Sequence, residues 1–164
     1  MPEHTRQDPL GLFAAGEGTI TGTVVCAAVI AYAGSYDTTL GKLCLAIVGT
    51  VAVYWVAHLH AETIGSSLTH AHHPRAAFQH ALSETWPILG ASVAPVAVLV
   101  LASLLGAEIR TAAWIALCFC IALLAFYSYL AGVRSGLDMR GRLMSAGAGL
   151  GLGLLVVLLK VGLH

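Results

Sequence analysis

The chain reads as all-α: a polytopic membrane helical bundle of five transmembrane helices plus a short interfacial helix, in one domain over residues 1–164. Three observations predict this. The residues are 58% hydrophobic and 10% charged, with a mean hydropathy of +0.85, whereas soluble domains carry about 25% charged residues. Apolar runs at about 18–36, 43–62, 85–107, 111–133 and 143–162 have the length of about 20 residues that crosses hydrocarbon. Over 18–36, 43–59, 85–107, 111–133 and 143–159 those runs contain no Asp, Glu, Lys or Arg. So little charge cannot cover a water-facing surface, so the expected solvent is bilayer lipid.

Asp8-Pro9 predicts a helix start, with Asp as cap and Pro at the first helical position; the helix leads towards Glu17 and the first span. Glu3, Asp8 and Glu17 against the single Arg6 give the wrong charge balance for a cleaved signal peptide. Gly34, Ser35 and Asp37 end the first span, and Tyr36 falls where an interfacial aromatic belongs. A short connection through Lys42 pairs the first two helices as an antiparallel hairpin. Tyr54 and Trp55 mark the approach of the second helix to the opposite interface, and the helix is expected to project beyond it.

After His70, His72 and His73, Pro74 ends a turn and can open a new helix. Residues 75–85 predict the interfacial helix, with Ala76, Ala77, Phe78, Ala81 and Leu82 as its apolar contacts. Trp86-Pro87 then starts the third span, which Pro95 is expected to kink. Residues 106–110 form a tight loop to the fourth helix, whose Trp114, Phe119, Phe126, Tyr127 and Tyr129 suit lipid or core contact. The fifth helix carries Gly147, Gly149, Gly151 and Gly153; the pairs 147/151 and 149/153 have small-xxx-small spacing on two different faces. Packing within the chain and a subunit interface are both open readings. Cys26, Cys44, Cys118 and Cys120 lie inside spans without a C-x-x-C pair and read as buried apolar thiols.

Arg6, Arg75, Arg134, Arg140 and Arg142 fall on one side of a five-span topology, against Lys42, Arg110 and Lys160 on the other. The excess of basic residues places the N-terminus in the cytoplasm and the C-terminus outside. In that orientation the cytosolic helix ends collect the ionisable groups. Glu17 lies at the end of helix one, His58, His60 and Glu62 at the end of helix two, and His80 and Glu84 just before helix three. His58 and Glu62 are four apart and share a helix face. Ionisable groups at membrane depth usually face a protein interior, a cavity or an ion path.

Such a cluster suits three chemistries. Imidazole and carboxylate bind Zn or Fe, and His58, Glu62 and His80 are the candidate ligands. The same groups pass protons or cations, and Glu17, His58, His60, Glu62 and Glu84 are the candidate pathway. Or they pair and tie helix ends together. The run His70, His72, His73 reads either as a solvated loop or as a metal site.

The H-x-H and H-x-H-H pattern of His58/His60 and His70/His72/His73 is similar to the histidine boxes of membrane di-iron hydroxylases and desaturases. That resemblance implies iron held at the cytosolic face. Those boxes are H-x-x-x-H and H-x-x-H-H, so the spacings differ, and no third box follows because the only histidine after His80 is His164. Glu17-Gly-Thr-Ile and Val53-Tyr-Trp-Val-Ala-His58 resemble uncharacterised small multi-pass integral membrane proteins of high-GC Gram-positive bacteria, a resemblance that implies the bacterial inner membrane and brings no activity. No phosphate loop, nucleophile motif or H-E-x-x-H occurs.

The sequence therefore points to a small channel or transporter for protons or divalent cations. Its expected partners are the bilayer and further copies of itself, with no nucleic acid. A metal-dependent (Fe or Zn) membrane enzyme acting on a lipid and a non-catalytic accessory subunit are the alternatives.

Overall fold

The computed structural model describes residues 17–34, 36, 38–69 and 74–162, and the side chains of these except 66–69, 74–77 and 80. Among the described residues there are five helices and no strand: α1 (Glu17–Ala33), α2 (Leu40–Thr69), α3 (Pro74–Leu104), α4 (Ile109–Arg134) and α5 (Met139–Gly162). Four of them contain stretches long and apolar enough to cross a membrane: Leu40–Gly65, Ala81–Leu104, Ile109–Arg134 and Met139–Gly162. The apolar α1 is the shortest at 17 residues, about 25 Å at the helical rise. The helix expected from Asp8-Pro9 and the run His70, His72, His73 lie outside the described residues.

One expected element does not exist as a separate body. The interfacial helix predicted over 75–85 is the beginning of α3, which runs unbroken for 31 residues through Pro87 and Pro95. Its buried stripe explains the continuity. Ala81, Thr85, Ile88, Ser92, Pro95, Leu99 and Ala102 are buried at alternating steps of four and three, the repeat that keeps one seam turned to its neighbours. A seam crossing Pro87 without a change of phase holds the helix together where one backbone bond is lost, and neighbouring helices make such a loss tolerable. The 30 residues of α2 and 31 of α3 are each about 45 Å long. Since hydrocarbon is about 30 Å thick, both project past it at the end where α2 leads into α3.

α1 packs against all four other helices and is the centre of the bundle, with α4–α5, α2–α3 and α1–α3 as the most extensive pairs. Its buried residues Thr19, Gly22, Thr23, Cys26, Ala27, Ile30 and Ala31 form the inner stripe. Around it the core is built from Leu43, Ile47 and Val51 of α2, Ile88 and Leu99 of α3, and Ala113, Leu117, Cys120 and Leu124 of α4. The α3–α4 and α4–α5 turns repeat one device. Gly106 (φ 90°) and Gly136 (φ 70°) take the left-handed conformation, and each turn closes two bonds back onto its helix: Gly106 N–H to Ser103 O and Ala107 N–H to Ala102 O, Gly136 N–H to Val133 O and Leu137 N–H to Gly132 O, all 3.1 Å. Asp138 Oδ1 then accepts Gly141 N–H at 2.9 Å and caps α5.

α1 lies close on α3 at two glycines. A Cβ placed on Gly22 would lie 2.6 Å from the Ile88 carbonyl oxygen and 3.0 Å from Ala91 Cβ, and one on Gly18 would lie 3.2 Å from Ile88 Cγ1. The two open glycine readings of α5 separate in the same way. Gly149 is pressed against Ser128 and the Leu124 carbonyl, and Gly153 against Ile121, so this pair packs within the chain, while Gly147 and Gly151 face open space. Gly22→Leu is therefore expected to lower stability by about 2 kcal/mol through overpacking, seen as a lower melting temperature in detergent. Gly151→Ala, with nothing to displace and helix propensity to gain, should melt no lower than the parent; equal melting of both variants would mean that α1 and α3 do not meet at Gly22.

Candidate functional site

Glu17, His58, Glu62 and Glu84 line one cavity of about 350 Å³ together with Gly18, Ser83, Thr85 and Pro87. Three helices build it. α1 supplies its first two residues, and α2 supplies one face over one turn. α3 supplies the segment around Pro87. Register in α1 and α3 follows from the glycine contact: Gly18 lies against the Glu84 carbonyl and the Ile88 side chain, so residues 17 and 84 end up at one depth.

Each functional side chain has a local reason for its place. Glu17 is the first described residue of α1, and its carbonyl accepts a 2.7 Å hydrogen bond from Thr21 Oγ1. His58 is half-buried, and its ring stacks on Tyr54, one turn earlier, with centroids 5.9 Å apart and planes at 18°. Glu62, one turn further along the same face, is exposed at the mouth, as is Glu84. Thr85 closes the floor: it is 1% exposed and donates to the Ala81 carbonyl at 2.8 Å. Trp55 and Trp86 meet edge to face at 6.3 Å between α2 and α3 beside this end of the bundle.

The other expected residues are placed differently. His60 is exposed and does not line the cavity, because a residue two positions from His58 points to another side of the helix. His80 is in α3, and its side chain lies outside the described residues. Among the described residues no three His, Cys, Asp or Glu side chains stand close enough together to hold a metal ion. The described side chains form an open acidic rim with one imidazole.

Gly18, Ser83, Thr85 and Pro87 were not among the site residues expected from sequence. The signal for Gly18 was present as Gly18-xxx-Gly22, the same small-xxx-small spacing as in α5. A second cavity, of about 690 Å³, lies at the opposite end of α1, lined by Tyr36 and Thr38 from the α1–α2 connection and by Ala107, Glu108, Ile109 and Arg110 from the start of α4. Nearby, Lys160 of α5 is 9% exposed, with its Nζ 4.2 Å from the centre of the Trp114 ring. The two cavities are separated by the apolar middle of the bundle, where Cys26, Ile30, Leu117, Cys120 and Leu124 are fully buried.

The fold and site define a multi-helix bundle with membrane-spanning character and an acidic, histidine-bearing cavity at one end. The chain matches no protein-family model, and no curated protein or solved structure is significantly similar to it.

Three carboxylates around one cavity repel each other. Glu84→Gln is expected to raise stability by a few tenths of a kcal/mol at low ionic strength, with the gain fading at about 1 M salt as screening shortens to about 3 Å. Thermal melts of parent and variant across salt concentrations check this. A variant no more stable than the parent at any ionic strength would mean that the three charges do not share the cavity.

Proposed function

We propose that this chain is a small membrane channel or transporter for protons or divalent cations, with the Glu17, His58, Glu62 and Glu84 cavity as its cytosolic mouth. The observation that carries the reading is the meeting of ionisable side chains from three helices at one depth of an otherwise apolar bundle. Ionisable groups at such positions are expensive and mark ion or proton paths more often than they serve structure. A second cavity at the far end of α1 gives each subunit an opening on the opposite side as well.

The proposed setting is a bacterial inner membrane with five crossings, the N-terminus in the cytoplasm and the C-terminus outside, following the excess of arginine on the Glu17 side. The middle of the bundle is filled by side chains, so the proposed working unit is a homo-oligomer whose subunits jointly provide the passage.

Flux into proteoliposomes tests the reading. Glu62→Gln and His58→Ala are expected to slow proton or divalent-cation flux by about tenfold, equivalent to about 1.4 kcal/mol on the barrier. Equal flux in the parent and both variants would remove the transport reading. Stoichiometric Fe or Zn in the purified protein, lost in the same variants, would instead favour the metal-dependent lipid enzyme.

A further inference from the structure

The turn that joins α4 to α5 gathers cations away from the acidic cavity, which draws no described lining residue from either helix. Between residues 134 and 144 the chain has three arginines, Arg134, Arg140 and Arg142, and one acid, Asp138. That acid is committed to the fold: its Oδ1 accepts Gly141 N–H at 2.9 Å and caps α5. Arg142 donates through Nε to the Leu137 carbonyl at 2.8 Å, which holds the side chain at the turn by one of its five N–H donors. Arg140 is exposed, and its side chain makes none of the turn's hydrogen bonds.

Arg140 heads an apolar face that the bundle leaves uncovered. The buried residues of α5 are Gly149, Gly153, Val156 and Lys160, and at about 3.6 residues per turn they fall on the side opposite Arg140. On the Arg140 side, Met144 is 76% exposed, and Leu154 and Leu158 are exposed further along. From Arg140 to Leu158 the helix rises about 27 Å, close to the hydrocarbon thickness of about 30 Å. A face of this length lies against acyl chains, which puts Arg140 at the headgroup level of one leaflet. The chemistry there selects the partner, because a guanidinium forks onto phosphate oxygens. A second copy related by a two-fold axis along the membrane normal would set Arg140 against its own equivalent, and like charges oppose that contact.

We propose that the α4–α5 turn is a docking surface for anionic phospholipid, with the headgroup phosphate on Arg140 and the acyl chains along the Met144, Leu154 and Leu158 face. Arg142, two residues on and so on another side of α5, adds its charge to the turn. With Arg134 and against Asp138 the turn is a net cation, which favours an anionic headgroup over a zwitterionic one. Each basic residue at a membrane surface contributes on the order of fivefold in affinity for anionic lipid. Such docking is independent of transport. It requires only that α4 and α5 cross a bilayer, in either orientation.

The test titrates the full chain in a maltoside detergent with short-chain phosphatidylglycerol, and separately with phosphatidylcholine of the same chains, and follows the rise in melting temperature that binding causes. The parent should respond to phosphatidylglycerol at a concentration at least about fivefold below that for phosphatidylcholine. Arg140→Gln should need about fivefold more phosphatidylglycerol, and Arg140→Gln combined with Arg142→Gln more again. Lys42→Gln, which removes one exposed positive charge at the other end of the bundle, should respond as the parent does. A parental response in both arginine variants would overturn the docking surface. An equal loss in Lys42→Gln would also overturn it, by reporting net charge alone. Equal responses of the parent to the two lipids would overturn the choice of an anionic headgroup. Inorganic phosphate acting at the same concentration as phosphatidylglycerol would overturn the lipid in favour of a free anion. A change in subunit number on light scattering for Arg140→Gln would give this face to a second copy instead.

Discussion

The rest of the structure depends on one close approach of two helix backbones. α1 lies against α3 through Gly22, where any side chain would collide with the Ile88 carbonyl, and through Gly18, which faces Glu84 and Ile88. Without a solvent-driven hydrophobic force between helices, this intimacy of packing is what holds a membrane bundle together. The contact fixes the register of α1 against α3. That register decides which acidic residues share a depth, and so where the cavity forms. It also puts α1, the shortest helix, at the centre, in contact with every other one.

A second constraint comes from length. At 30 and 31 residues, α2 and α3 are each longer than the hydrocarbon is thick, so their connected ends extend beyond the apolar core. The cavity lies at that end, with two long helices as walls and Glu17 and Gly18 of α1 as the third side. Water reaches the exposed Glu17, Glu62 and Glu84, which lowers the cost of keeping them charged. Deeper in, the buried groups become neutral hydroxyls, where a charge would be far more expensive. The gradient from carboxylate to hydroxyl to apolar core is in keeping with the proposed ion-handling mouth.

Much of this was legible in the residues. The helices follow from charge-free runs cut by Gly34, Gly106 and Gly136 and by the charged residues beside them, because hydrocarbon length and backbone satisfaction leave few alternatives. The meeting of Glu17, His58, Glu62 and Glu84 follows from topology and depth. The continuity of α3 was hidden by Pro87, which reads as a helix start, and emerges only from the four-three seam of buried residues that runs past it from Ala81 to Ala102. Spacing could not separate Gly149/Gly153 from Gly147/Gly151, since the two pairs differ only in which face meets α4.

The central claim is that the start of α1 and the Glu84 turn of α3 meet at one cavity. In a chain with its native cysteines replaced by alanine, Glu17→Cys paired with Glu84→Cys measures this through cross-linking by a short bis-maleimide in membranes. The account expects efficient cross-linking within one chain, and none when Glu17→Cys is paired with Glu108→Cys at the opposite end of the bundle. Failure of the Glu17/Glu84 pair to link, with both cysteines reactive to a monofunctional maleimide, would contradict it.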